Sequence, residues 1–262
     1  METYIRFEYK GEIKYGILEA DRIVVLEGEK YEVFKKTKEI VNIYDVNILA
    51  PCVPSKAVGL GLNYKDAKLE AGKEFPKSPL LFLKPSTSII NNMENIIKWP
   101  MVKDLRYEGE LAVVIGKKAS CIQENKSLEY IWGFTIANDV TAHDMQEKDT
   151  LWTRGKSFNT FLPLGPNIVK DIDYKNLEIT SKVNGKLEQK GNTSNMIFGV
   201  EYLVSYISHV MTLLPGDVIL TGTPGGYGGK IISGDKIEIE ISGIGKLTNY
   251  VKECETSWFI KS

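Results

Sequence analysis

A mixed, mainly β (α+β) fold is predicted for this chain of 262 residues, and three observations predict it. Short apolar or alternating segments bounded by Gly, Pro and Asp outnumber helical patterns. Strands and helices do not alternate regularly, which argues against a doubly wound parallel sheet. The longest helical pattern, residues 195–214, stops before the turn signal Pro215-Gly216-Asp217, so helix is the minority element.

Taken in order, residues 3–8, 12–18 and 21–26 read as strands around the turns Lys10-Gly11 and Ala20-Asp21. They predict a small β-rich N-terminal domain, residues 1–52. Residues 45–55 carry Pro51 and Pro54 and read as a linker, with a second domain over 53–262. That domain opens with a strand at 57–62, a polar helix at 64–72 ending at Gly72, and a strand at 80–83. A helix is expected over 124–132, an apolar run over 132–138, and strands over 218–221 and 236–241.

Chemistry concentrates in Tyr107-Glu108-Gly109-Glu110, which runs straight into the apolar segment 111–115. In a strand, Glu108 and Glu110 share a face about 6.5–7 Å apart. Two carboxylates on a strand entering a core are costly unless something neutralises them. A third acid, Asp139, ends the apolar run 132–138. Such a trio offers the hard oxygen ligands that suit Mg²⁺, Mn²⁺ or Ca²⁺. The stretch 237–241 is an internal control: it alternates cleanly, so Glu238 and Glu240 should face water.

Composition limits the function classes. A net charge of −1 gives no electrostatic support for nucleic-acid or membrane-surface binding. No apolar run is long enough to span a membrane, and the start does not read as a signal peptide. Cys52, Cys121 and Cys254 are scattered and odd in number, which fits a reducing cytoplasm. Only His143 and His209 are present, which excludes a zinc site built on several histidines. Gly59-Leu-Gly61 has Tyr64 where a dinucleotide loop needs its third glycine. In 222–231, Pro224 and Ile231 break a phosphate-loop pattern, and no Gly-x-Ser-x-Gly elbow occurs.

Seven ordered segments carry a resemblance: Gly59-Leu-Gly-Leu-Asn-Tyr64, Phe82-Leu-Lys-Pro85, Tyr107 to Gly116, Ala137-Asn-Asp-Val-Thr-Ala142, Lys156-Ser-Phe-Asn-Thr-Phe161, Leu164-Gly-Pro166 and Thr221-Gly-Thr-Pro224. The chain resembles the fumarylacetoacetate hydrolase superfamily. That resemblance implies a β-roll-like catalytic domain, commonly in homodimers or higher homo-oligomers. It implies Mg²⁺ (or Mn²⁺) on Glu108, Glu110 and Asp139, and a small 2-oxo acid or diketo acid as substrate. Lys156 matches the lysine beside the metal, where it would stabilise an enolate or deliver a proton. Gln146 matches a substrate-contacting glutamine, and Thr223 with the Gly222 backbone a carboxylate-binding turn; Tyr64 and Lys84 lie in matched segments too.

Two departures limit the carry-over. The family's His–Glu pair on the lid corresponds to Ala67 and Glu70, so the glutamate is present and the histidine is absent. His143 stands where an arginine is common, which makes it a candidate proton donor or base. The leading expectation is a divalent-metal enzyme working through a metal-stabilised enolate, as isomerase, decarboxylase or hydrolase. The alternatives are a 2-keto-3-deoxy sugar-acid dehydratase and a metal- and 2-oxo-acid-binding protein without catalysis.

Overall fold

The computed structural model describes residues 1–28, 31, 34–70, 74–226 and 228–255, with side chains in the helix Lys65–Glu70 described through Ala67. A continuous apolar run must be buried on two faces, and Gly109–Ile115 is: every residue in it is buried. Leu111, Val113 and Ile115 enter one core with Ile179, Ile237 and Ile239, and with Leu203 and Ile207 of the helix Val200–Val210. Ala112 and Val114 enter another with Ala137, Leu164, Val218 and Leu220. Period-2 alternation therefore assigns Glu108 and Glu110 to the face of Ala112, and Gly109 to the opposite one.

Around this strand lies a 12-stranded sheet. Its main path runs Phe34–Asn42, Arg22–Gly28, Glu12–Glu19, Glu2–Tyr9, Leu162–Lys170, Ile131–Asn138, Gly109–Ile115, Val218–Leu220, Lys56–Gly61 and Leu80–Pro85. The N-terminal hairpins join the rest through Glu2–Tyr9, which pairs antiparallel with Leu162–Lys170, so they extend the same sheet. A 5-stranded sheet packs over the first: Lys186–Asn192, Glu178–Val183, Lys236–Ile241, Gly245–Glu253 and Asn95–Lys98. Gly109 is one place where the two approach closely. A Cβ there would lie 2.7 Å from Ser181 Oγ and 2.9 Å from Gln189 Oε1, so only glycine fits between the two glutamates.

The internal control behaves as its alternation predicts. Ile237, Ile239 and Ile241 are buried, Glu238 is half-buried and Glu240 is exposed. Three expected elements differ. The linker 45–55 contains a short strand, Asn47–Leu49, paired with Arg6–Glu8. The expected helix at 124–132 is a 3₁₀ run, Glu124–Tyr130; Leu128 is exposed, so no apolar stripe holds a longer α-helix. The helix expected over 195–214 spans Val200–Val210, because Met211 turns extended and Leu213 is drawn into a bridge with Ala119. Gly72, the expected helix stop, lies outside the described residues.

One buried acid holds the joint between Val218–Leu220 and Lys56–Gly61. Asp217 accepts hydrogen bonds from Ser55 N at 2.9 Å, Ser55 Oγ at 2.7 Å and Leu214 N at 2.9 Å, and pairs with the Lys56 ammonium. Burial pushes its carboxyl up, but Lys56 and these donors outweigh that and hold it below the ordinary value of 3.8. A depressed folded-state value stabilises the fold above the ordinary carboxylate pKa, and that stabilisation is lost as pH falls through the folded value. Asp217→Ala is expected to cost about 3–5 kcal/mol. Urea unfolding at neutral pH checks this, and the difference from wild type should shrink as the pH drops below about 4.

Candidate active site

The register of two strands assembles the acids. Gly109 pairs with Asn138 and Glu110 with Ala137, and Asp139 N donates to Glu108 O at 2.9 Å, so Asp139 and Glu108 continue the ladder side by side. Ligand atoms of Glu108, Glu110 and Asp139 lie within 4.8 Å of one another. Asp139 and Glu110 are buried, and the Glu108 side chain keeps 16% exposure toward a cavity. The Asn138 side chain braces this corner by accepting the Glu108 N–H at 3.1 Å.

Two lysines answer the charge. Lys156, at the end of the short helix Thr153–Lys156, donates to Asp139 Oδ2 at 2.5 Å and to Glu108 Oε2 at 3.0 Å. Lys84, on the strand Leu80–Pro85, donates to Asp139 Oδ1 at 2.6 Å and to Val140 O at 3.0 Å. Both lysines are buried. For Lys156 burial disfavours the charge, yet Asp139 and Glu108 outweigh it, so its pKa is raised and it stays an ammonium. For Lys84 burial wins over Asp139, and its pKa is lowered. Asp139 feels the same contest: burial raises it, the two lysines prevail, and it ends below its ordinary value. Burial pushes Glu108 up against the opposing pull of Lys156.

Among the described residues, Glu110 is the acid of the three without a lysine partner. Its Oε2 accepts the Gly222 N–H at 2.7 Å, and burial followed by Asp139 and Glu108 pushes its carboxyl well above the ordinary range. Gly222 reaches it because its φ of +89° turns the chain sharply after Val218–Leu220. Thr223, next in that turn, donates to Gly109 O at 2.9 Å and accepts from Gln189 Nε2 at 2.7 Å.

A cavity of about 230 Å³ opens beside Glu108 and Lys156, and Gln146, His143 and Thr223 line it with them. Phe82 and Trp152, not singled out from the sequence, form an apolar wall with rings edge to face at 5.8 Å. The Lys156 ammonium sits 4.8 Å from the Phe82 ring centre. A second apolar side comes from Leu60, Leu62 and Ala67. Tyr64 and Lys84 are buried and do not line the cavity. Lys84 compensates Asp139, while the Tyr64 backbone bridges to Met196. The side chain of Glu70 lies outside the described residues. Two groups missed in the sequence, Asp104 and Glu147, flank His143 at 3.5 Å and 3.7 Å from its Nδ1.

The donor set fits a divalent cation. All three groups are hard carboxylates, their ligand atoms lie within 4.8 Å of one another, and among the described residues one of them pairs with no cation. Three carboxylates against two ammonium groups leave one negative charge over.

Comparison with known proteins agrees with this geometry. Residues 56–252 match the model of the fumarylacetoacetate (FAA) hydrolase C-terminal domain. The chain belongs to this family. Residues 3–51 match a second model, that of the Rv2993c-like N-terminal domain. Among curated relatives, the chain is 48% identical over 236 residues to an uncharacterised protein of Methanocaldococcus jannaschii, covering 87% of this chain and 97% of that one. It is 42% identical over 217 residues to the mitochondrial oxaloacetate tautomerase Fahd2a of Rattus norvegicus, covering 79% and 69%. Among solved structures, the 2-hydroxyhepta-2,4-diene-1,7-dioate isomerase from Mycobacterium marinum superposes with a TM-score of 0.91 at 37% identity, covering 98% of this chain and 100% of that one. This chain is thus a mainly β enzyme of the fumarylacetoacetate hydrolase family.

Proposed function

We propose that this chain is a divalent-metal-dependent keto–enol isomerase of a small 2-oxo acid, acting as a homo-oligomer in the cytoplasm. The observation that carries the reading is the make-up of the cavity. Glu108, Lys156 and Ala67 line a space of about 230 Å³ together, and the family resemblance puts a water-activating histidine at the position of Ala67. Alanine accepts no proton, so position 67 itself cannot turn water into a nucleophile. Moving a proton between carbon and oxygen needs no such water. Similarity to a tautomerase and to a dienedioate isomerase supports the same choice.

Glu108, Glu110 and Asp139 would hold the ion, with Mg²⁺ or Mn²⁺ suited to an all-oxygen set. When bound, a divalent ion supplies Lewis-acid polarisation of the keto oxygen. The residues do the rest. Counted formally, three carboxylates and two ammonium groups carry −1, so a divalent cation turns the site net positive, which suits an anionic substrate. Lys156 remains an ammonium, so it donates to developing negative charge on oxygen rather than removing a proton from carbon. Phe82 and Trp152 keep the side of the cavity beside Lys156 apolar, which strengthens that interaction. Gln146 supplies an amide to fix the substrate's polar groups, and His143 faces the same space as a proton-exchanging group.

The test uses enol oxaloacetate, an acylpyruvate and a 2-keto-3-deoxy sugar acid, each with Mg²⁺ and with chelator. Ketonisation of oxaloacetate, followed by loss of enol absorbance, should be fast with Mg²⁺, vanish on full chelation and return on re-addition. Catalysis that survives complete chelation overturns the metal reading. Cleavage of the acylpyruvate or dehydration of the sugar acid in place of ketonisation overturns the isomerase reading. Tight 2-oxo acid binding without turnover would make the chain a binding protein.

A further inference from the structure

We infer that Asp104 and His143 form a proton-handling pair on the cavity wall: Asp104 is the positioning residue that fixes the imidazole, and His143 Nε2 exchanges a proton with the carbon beside the keto group. The inference rests on the isomerase reading above and names the group that does its carbon chemistry.

Backbone pairing puts the two residues together. The short strands Leu105–Arg106 and Thr141–Ala142 pair with Leu105 opposite Ala142 and Arg106 opposite Thr141. One step further along that ladder, Asp104 meets His143, and His143 N donates to Asp104 O at 2.8 Å. Asp144 laces the same segments by accepting from Asp104 N at 3.3 Å and Lys103 N at 3.4 Å. The register that sets Asp139 beside Glu108 thus continues outward and delivers the carboxylate to the imidazole.

Side-chain geometry gives the pairing a direction. His143 Nδ1 is buried without a hydrogen bond, and so is Asp104 Oδ1. Nδ1 lies 3.5 Å from Asp104 Oδ2, just beyond a normal N–H···O bond. A buried, unsatisfied Nδ1 and a buried, unsatisfied Oδ1 on neighbouring side chains are costly, and an Nδ1–H donated to the Asp104 carboxylate relieves that cost. Arg106 holds that same oxygen in place, donating to Oδ2 from Nε at 3.1 Å and Nη2 at 2.8 Å. An Nδ1–H turned toward Asp104 leaves Nε2 as the basic nitrogen, and the ring lines the cavity with Glu108 and Lys156. Burial, then Arg106, lowers the His143 pKa, and Lys156 pulls the same way against Glu147 and Asp104. A ring neutral at neutral pH is the form that accepts a proton.

The step balances without a co-reactant. In enolisation the C3–H bond breaks and its proton passes to Nε2. Its electron pair forms the C2–C3 double bond, and the carbonyl π pair moves to oxygen beside the Lys156 ammonium. The oxygen takes a proton from water, and the imidazolium returns one to water. Ketonisation is the reverse.

The test combines kinetics with ¹⁵N NMR of the histidines in the full chain. Asp104→Asn and His143→Gln should each lower kcat for oxaloacetate ketonisation by roughly 10²-fold, with KM little changed, and the double variant should be no worse than either. Asp104→Asn should move the acid limb of the kcat profile to lower pH, and Asp104→Glu should restore part of the rate. In wild type the His143 signal should be that of the Nδ1–H tautomer, and that preference should be lost in Asp104→Asn. A wild type active on oxaloacetate whose Asp104→Asn keeps full kcat, pH profile and tautomer overturns the pair. If Glu147→Gln shifts the tautomer and Asp104→Asn does not, the positioning role of Asp104 is wrong. A wild type inactive on every 2-oxo acid fails the isomerase reading, whereas the tautomer measurement still decides the pairing by itself.

Discussion

Asp139→Asn is expected to abolish measurable turnover, a loss on the order of 10³-fold or more, because one residue carries three duties. It contributes an oxygen to the converging carboxylates, and it is the shared partner of Lys84 at 2.6 Å and Lys156 at 2.5 Å. An amide keeps the shape and loses the charge. Lys84 is then left with Val140 O and no anionic partner in direct contact, which is costly for a fully buried ammonium. The fold should lose about 3–5 kcal/mol, read by urea unfolding with chelator present. Mg²⁺ affinity should fall by more than roughly 100-fold, since even outer-sphere partners can cost that much. Wild-type affinity in the variant, measured by calorimetry, would remove Asp139 from the ligand set.

Much of this was legible in the chain, because burial leaves a local signature. The continuous run after Glu110 contrasts with the alternation at 237–241, and that contrast separates a buried carboxylate strand from a solvated one. Gly109 was visible only as a motif letter. Its reason, the approach of Ser181 and Gln189 from the second sheet, depends on a contact more than seventy residues distant. Tertiary context also trimmed the long helix, since the Ala119–Leu213 bridge competes for its last turn. The roles of the lysines depend on strand order too: Lys84 lies on an edge strand, and nothing local shows that it meets Asp139. Asp104 carries no motif, and it reaches His143 through strand register, the two-residue strands continuing the pairing of Gly109–Ile115 with Ile131–Asn138. Local pattern reports burial and spacing; charge compensation comes from topology, which pattern does not encode.

Lys156→Met separates metal binding from chemistry, and its expected result runs opposite to that of Asp139→Asn in one measurement. Methionine matches the length of the buried stem and can pack against Phe82, 4.8 Å from where the ammonium stood. Removing that charge leaves three carboxylates with Lys84 alone, so the site becomes more negative and Mg²⁺ should bind at least as tightly as in wild type. Turnover should nevertheless fall about 10²- to 10³-fold, the usual cost of losing one preorganised donor to a developing oxyanion. The loss should appear in kcat more than in KM, because the missing interaction strengthens as charge builds on oxygen. Part of the stability lost through Asp139 should return when Mg²⁺ is added, since the ion replaces the missing positive charge. Metal affinity and kcat falling together would instead make Lys156 a structural counter-ion to Asp139 and Glu108, and the oxygen-stabilising role would pass to another donor in the cavity.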